Sequence, residues 1–318
     1  MQGKREDEPK EKTDWTVSEL YQAELPTLNW VVPELLPAGL ASLAGRPKMG
    51  KSLLALQLAA AVASGGVFLG HEVEAGRVLY LALEDSPQRL QERMRRLQVT
   101  ESAPIRLCTQ WPELDRPQGV MELVRCVHKT KPLLVVIDTL SRALHAETAY
   151  QSDLVSTIMS GLHRLAHNRG CCVLTVDHHR KSGQGRDVVN DLLGHASKAA
   201  ALDTVWGLYS GREGHGVSLS VTGREVTPCE LALEFDPNSG MWQLQPEPEG
   251  APMDGTMSDV ARVLAELGGV ATTSEMASAL GKPAGNVSHA LARLLHDGQV
   301  RRLPRVGHRV PYELVRRV

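Results

Sequence analysis

Gly45-Arg46-Pro47-Lys48-Met49-Gly50-Lys51-Ser52 is the stretch whose reading decides the fold. It follows the pattern G-x-x-x-x-G-K-S. Upstream, Leu40-Ala41-Ser42-Leu43-Ala44 alternates like a strand; downstream, residues 53–62 (LLALQLAAAV) continue as an apolar helix. Strand, loop and helix in that order give each residue type a task. Gly45 and Gly50 let the backbone curl so that N–H groups of the loop point inward at phosphate oxygens, and the helix N-terminus adds its positive end. Lys51 is expected to reach the β- and γ-phosphates, and the Ser52 hydroxyl to ligate Mg2+. Gly45, Arg46, Pro47, Lys48, Met49, Gly50, Lys51, Ser52 and Leu53 are therefore the expected ATP-binding residues. A glycine-rich turn that merely precedes a helix is the bland alternative, and the coincidence of strand, motif and helix weighs against it.

The whole chain sets bounds. Its 318 residues suffice for one large domain and a small one. With 42% hydrophobic residues, 23% charged residues and a formal net charge of -2, composition gives no global case for nucleic acid, so any basic surface must be local. No apolar run approaches the roughly 20 residues that span a bilayer. The charged, polar start does not read as a secretory signal, and a cytoplasmic protein without a membrane partner is expected. Cys108, Cys126, Cys171, Cys172 and Cys229 form no C-x-x-C pair and are expected to be reduced and structural. Phe and Tyr are too scarce for a broad aromatic platform for bases.

Residues 1–29 read as a flexible tail and lead-in, 30–245 as the nucleotide-binding core, 246–256 as a Pro/Gly/acid linker and 257–318 as a small second domain. Trp30-Val31-Val32 and Leu35-Leu36 are expected to pack on the edge of the core near the nucleotide. Residues 76–85 (GRVLYLALED) form a β-rich run ending in Glu84 and Asp85, and the carboxyl end of a parallel strand is where open α/β sheets bind ligands. Ser86 and Pro87 then start a helix as N-cap and first helical residue. Its Leu90, Met94 and Leu97 recur at helical spacing, while Arg89, Arg93, Arg95 and Arg96 are expected on a solvated face.

Residues 131–140 (KPLLVVIDTL) make an uninterrupted apolar strand closing on Asp138, as in strands buried on both faces of a parallel sheet. After a phosphate loop this is the expected Walker B strand, with Asp138 holding Mg2+. A helix over 154–167, capped by Gly170, leads to a strand that ends in Asp177-His178-His179-Arg180-Lys181. Neighbouring histidines in a strand point to opposite faces, which suits chelation badly. One of them, His178 first, is instead read as a sensor that hydrogen-bonds the γ-phosphate or the attacking water. Residues 180–194 are Gly-rich and basic, and closing strands follow over 203–209, 216–222, 231–235 and 242–244, with Arg224 at a strand end.

Past the linker, helices are expected over 258–267, 274–280 and 285–296, then basic strands over 299–303 and 309–314. That is the outline of a winged helix. Asn286, Ser288, His289 and Arg293 lie on the candidate recognition helix, and Arg301, Arg302, Arg305, His308 and Arg309 on the wing. DNA contact, protein contact and a purely structural role are all open to it.

The order of phosphate loop, strand-end Glu84, strand-end Asp138, strand-end His178 and His179, then Arg224 resembles the RecA-like ATPase core. Within it, the chain is most similar to the RepA-like AAA-type ATPases, which include hexameric plasmid replicative helicases. The similarity rests on Gly45 to Ser52, Leu83-Glu84-Asp85, Val136-Ile137-Asp138-Thr139-Leu140 and His178-His179-Arg180-Lys181, and spans roughly residues 30 to 245. It implies an α/β fold: a mostly parallel, RecA-like sheet flanked by helices, here followed by the small winged-helix-like domain.

By that resemblance the catalytic set is Lys51, Glu84, Asp138, His178, His179 and Arg224. Glu84 would orient the attacking water as general base, and Arg224 would be the finger reaching a neighbour's nucleotide, with Arg212 the competing candidate. Such a finger makes turnover conditional on assembly, so a homo-oligomeric ring, hexameric, is expected. In the related helicases the loops after the Walker B and sensor strands face the central channel. Arg142, Arg180, Lys181 and Arg186 would there neutralise phosphates of single-stranded DNA without reading sequence. The C-terminal segment is not part of the shared core and is expected to meet duplex DNA or a protein partner. The implied function is an ATP-driven DNA helicase or translocase in replication of a plasmid, phage or mobile element. The alternatives are an ATP-switched DNA-binding regulator that does not unwind, and a partner-activated ATPase of recombination or repair.

Overall fold

The computed structural model describes residues 14–25, 28–145, 148, 151–178, 201–210, 216–245, 255–282, 287–288, 290–291, 294–295, 298–304 and 310–315. Thr16 and Glu19 open it with a capping box, starting the short helix α1 (Val17–Gln22). A small hairpin follows, β1 (Trp30–Val32) and β2 (Leu36–Pro37), with Val31, Val32, Leu35 and Leu36 buried. β3 (Gly39–Gly45) runs into the phosphate loop and α2 (Lys51–Ser64). Next come the hairpin β4 (Val67–Phe68) and β5 (His71–Glu72), then β6 (Val78–Ala82), α3 (Pro87–Arg96), β7 (Ile105–Cys108), α4 (Pro117–Thr130) and β8 (Leu134–Asp138). α5 (Ser152–Arg169), ended by Gly170 in the left-handed region, leads to β9 (Cys172–His178). β10 (Thr204–Ser210), β11 (Val217–Gly223), β12 (Cys229–Asp236) and β13 (Met241–Leu244) close the core.

Nine strands share one sheet in the order β13-β12-β11-β10-β3-β9-β8-β6-β7. From β10 to β7 all pairings are parallel; from β10 to β13 they are antiparallel. The period of two along each strand divides the core in two. Leu43, Tyr80, Val136, Leu174 and Trp206 meet α2 on one face. Leu40, Leu79, Leu81, Val135, Ile137 and Val173 meet α4 and α5 on the other. β8 is buried at all five residues, as its uninterrupted apolar run requires. α2 is buried nearly all round, the expected fate of a helix without a polar face. The sheet carries β13 across its outer side, where Gln57 exchanges two 2.8 Å hydrogen bonds with the Trp242 backbone.

Two expectations about packing are corrected. The β1–β2 hairpin feeds the amino end of β3, whereas the phosphate loop leaves its carboxyl end, so Trp30 to Pro37 covers the core away from the loop. The Trp206 indole donates to the Leu35 carbonyl at 3.1 Å, which fixes the hairpin there. The arginines of α3 are not all solvated. Arg89 (3.1 Å) and Arg93 both pair with Asp85, whose side chain is nearly buried, because a carboxylate removed from water needs a cationic partner.

The C-terminal unit has its own core, built on Val260, Leu264, Met276, Val287, Leu291 and Leu294. It comprises α6 (Gly255–Glu266), β14 (Val270–Thr272), α7 (Thr273–Leu280), helical residues between 287 and 295, β15 (Val300–Arg302) and β16 (Pro311–Leu314). The strands pair antiparallel in the order β14-β16-β15. Two residues expected on its DNA-facing side turn to the core instead: Ser288 donates to Glu34 at 2.9 Å, and Arg302 bonds the Gly70 carbonyl and pairs with Glu72 at 3.8 Å. The reason is local charge, since Glu34 and Glu72 offer those donors carboxylates. Asn286, His289, Arg293, Arg305, His308 and Arg309 lie outside the described residues.

Candidate nucleotide site

β3, β8 and β9 deliver their last residues to the same end of the sheet: Gly45 is in register with His178, and Asp138 with Val176 two residues earlier in β9. The phosphate loop springs from that end. Gly50, the residue before α2, sits at φ 84°, in the left-handed region that glycine enters freely. A Cβ on Gly50 would stand 2.6 Å from the Trp242 ring, so glycine is required by space as well as by backbone. As at any helix start, the first N–H groups of α2 lack partners within the helix and are available to an anion.

Lys51 opens α2 and is buried. Its Nζ donates to the carbonyls of Gly45 and Arg46, both at 2.9 Å, and contacts Nδ1 of His178 at 3.3 Å. Burial lowers its pKa, and the charges of Asp138, Asp177 and Glu84 oppose that shift. The Ser52 hydroxyl donates to Asp138 Oδ1 at 3.1 Å, and the Tyr80 hydroxyl donates to Asp138 Oδ2 at 2.8 Å. Burial pushes the Asp138 carboxyl up to about 6, with the two hydroxyl bonds pulling down and Glu84 and Asp85 pushing further up. A buried carboxylate beside a hydroxyl, with no cation bonded to it among the described residues, is an oxygen donor set that fits a hard divalent ion.

Glu84 lies just past β6, where it accepts a 2.9 Å hydrogen bond from Thr139 Oγ1 and stands 3.6 Å from Arg142 Nε. Both contacts fall on Oε1, and the side chain remains 40% exposed. The site thus brings together the loop, Lys51, Ser52, Glu84, Asp138 and His178. Arg224 stands elsewhere: Gly223 pairs with Thr204 and Thr204 with Ala41, toward the other end of β3. Its Nη1 is 3.8 Å from Asp203. His179, Arg180, Lys181, Arg186 and Arg212 lie outside the described residues.

Residues 5–184, more than half of the chain, match the AAA domain family. The chain belongs to the AAA domain family. Among solved structures, a KaiC-like protein from the hyperthermophilic archaeon Pyrococcus horikoshii is similar, with a TM-score of 0.50 and 13% identity, covering 70% of this chain and 99% of that one. At that identity the likeness speaks to fold alone, and the fold is RecA-like. This AAA domain chain is accordingly a P-loop ATPase domain, a family that implies nucleotide binding with a divalent metal. No helix among its described residues is long and apolar enough to cross a membrane.

Several residues around the phosphate loop of this AAA domain are not legible as site residues in the sequence. One tyrosine in an apolar run reads as core, and Tyr80 is such a residue; its position two residues before the strand end, on the face of α2, is the available signal. Thr139 and Asp177 flank the expected residues and hold Glu84 and the His178 backbone N–H respectively. Trp242, far along the chain, carried no signal: its Nε1 donates to the Gly50 carbonyl at 3.3 Å only because β13 crosses α2.

Proposed function

We propose that the chain is an ATP-hydrolysing DNA helicase or translocase acting on single-stranded DNA, assembled as a hexameric ring. The observation that carries this reading is the 3.3 Å contact between Lys51 and His178. It links the residue that meets the γ-phosphate to the last described residue of β9, from which the chain enters the basic segment with Arg180, Lys181 and Arg186. Nucleotide state is thereby tied to residues suited to phosphates of a nucleic acid strand.

In this reading Lys51 and the loop N–H groups hold the β- and γ-phosphates, and Ser52 and Asp138 hold Mg2+. The ion supplies charge stabilisation at the transferring phosphoryl group. Glu84, steadied on Oε1 by Thr139, accepts the proton of the attacking water. An arginine from a neighbouring copy completes the site.

A second reading, an ATP-switched DNA-binding regulator, draws support from the order of elements in the C-terminal unit, which suits a winged helix. ATP turnover with and without single-stranded DNA separates the two, measured on the wild type beside Lys51→Ala and Glu84→Gln. Strong stimulation, lost in both variants, supports the motor. Slow, unstimulated turnover with duplex-specific binding through the C-terminal unit supports the switch.

A further inference from the structure

His163 and His167 stand one helical turn apart near the end of α5, and both direct Nε2 at Asp203, the residue before β10. The distances are 3.4 Å to Oδ1 and 3.1 Å to Oδ2. The two rings lie 4.2 Å apart at their centroids, and the three ligand atoms fall within 4.8 Å of one another. Ligands about 2.0–2.1 Å from a tetrahedral cation are separated by about 3.3 Å, which the two nitrogen–oxygen distances bracket.

The carboxylate is held for this geometry. The Leu40 N–H donates to Asp203 Oδ2 at 2.8 Å, and the Asp203 N–H returns 2.8 Å to the Leu40 carbonyl. Gly39, at φ +135°, makes room, since a Cβ there would lie 2.5 Å from Oδ2. Oriented second partners of this kind fix the position of a ligating side chain.

We propose that His163, His167 and Asp203 bind a divalent transition-metal cation of the zinc class. Two imidazoles and one carboxylate suit that class rather than Mg2+, which prefers oxygen donors. The half-exposed His167 faces water, so a fourth position is open to solvent. The site is distinct from the nucleotide's metal: Asp203 bonds Leu40 near the amino end of β3, about 17 Å from the phosphate loop at its carboxyl end. A cation there clips the end of α5, which feeds the His178 strand, to the starts of β3 and β10. Without it, the Arg224 guanidinium partly balances the carboxylate.

The test uses the full chain, stripped with a chelator and supplied with excess Mg2+ and ADP to fill the nucleotide site, then titrated with Co2+. One Co2+ per chain with visible d–d bands, displaced by Zn2+ and raising the thermal midpoint, is expected. His163→Asn and His167→Asn, each removing a direct ligand, should weaken Co2+ binding by at least the roughly ten- to hundredfold that loss of an outer-shell partner costs, and lose the midpoint shift. Lys51→Ala should keep both. Both histidines are partly exposed, so the variants fold, and circular dichroism checks it. No bands in the wild type, or bands of wild-type strength in either histidine variant, would overturn the assignment.

Discussion

The Nζ of Lys51 lies 3.3 Å from Nδ1 of His178 and 2.9 Å from each of the carbonyls of Gly45 and Arg46. An ammonium has three N–H donors and accepts nothing, so these contacts use its full capacity and Nδ1 must be the acceptor. The ring proton then belongs to Nε2. In the proposed mechanism, a phosphate that takes one of the lysine's donors would disturb this set, and His178 would register the change.

His178→Ala should therefore uncouple rather than inactivate. Basal ATP turnover is expected within about threefold of wild type, while stimulation by single-stranded DNA falls about tenfold or more, roughly 1.4 kcal/mol of coupling. Steady-state turnover over a DNA titration checks this, and wild-type stimulation in the variant would remove His178 from the linkage.

As the proposed Mg2+ ligand, Asp138 would make cation binding pH-dependent. Its folded value of about 6 lies above the ordinary 3.8, so between those values the folded chain holds the extra proton. Stability contributed by this group accordingly falls as pH rises through that window and is level above it. Cation affinity runs the other way, because the ion and the proton compete for one carboxylate. Mg2+ affinity in the presence of nucleotide should drop about tenfold for each pH unit below 6. Calorimetric titrations on either side of that value measure it, with Asp138→Asn weak and flat. Tyr80→Phe removes a hydrogen bond to the charged form and should move the break to higher pH. A flat wild-type profile would contradict the account.

How much of this was legible follows from where each constraint lives in the chain. The loop, Glu84, Asp138 and His178 were readable because each closes or follows a strand whose apolar run marks its end. β8, buried on both faces, left a five-residue signature. β7 and α4 leave no clear pattern, since Ile105–Cys108 is a partly covered edge strand and α4 leaves Val120, Met121 and Val124 exposed; Pro117 at its first turn is the available cue. The β1–β2 hairpin reads as packing but not as to place, because an apolar run does not say which end of a strand it covers. Trp242 and Gln57 meet across 185 residues, and no local pattern encodes that distance.

Gln57 is the residue whose loss should cost most for its size. It is buried inside α2, and its amide satisfies both the N–H and the carbonyl of Trp242 at 2.8 Å. Gln57→Ala leaves two buried backbone groups unpaired, each costing about 1–3 kcal/mol. Denaturant unfolding should show the sum, about 2–6 kcal/mol, and nucleotide affinity should fall as the Trp242 ring loosens over Gly50. Trp242→Ala should lose about 3–5 kcal/mol through the cavity it leaves. If Gln57→Ala unfolds within about 0.5 kcal/mol of wild type, β13 is not anchored in this way.

Arg224 has one way to act in hydrolysis. Its neighbour Gly223 pairs with Thr204, and Thr204 with Ala41, four residues before Gly45 along β3, about 13 Å from the loop. An arginine there does not reach its own nucleotide, so a finger role requires a neighbouring copy joined head to tail. Arg224→Ala should lower turnover roughly 10³-fold while keeping nucleotide binding. The variant retains an intact loop, and Lys51→Ala retains an intact finger. Mixed in equal amounts, the two should regain activity above the sum of each alone, since some loops then meet a competent finger. Specific activity of the wild type should likewise fall on dilution. Wild-type turnover in Arg224→Ala would shift the role to Arg212, the competing candidate, which lies outside the described residues.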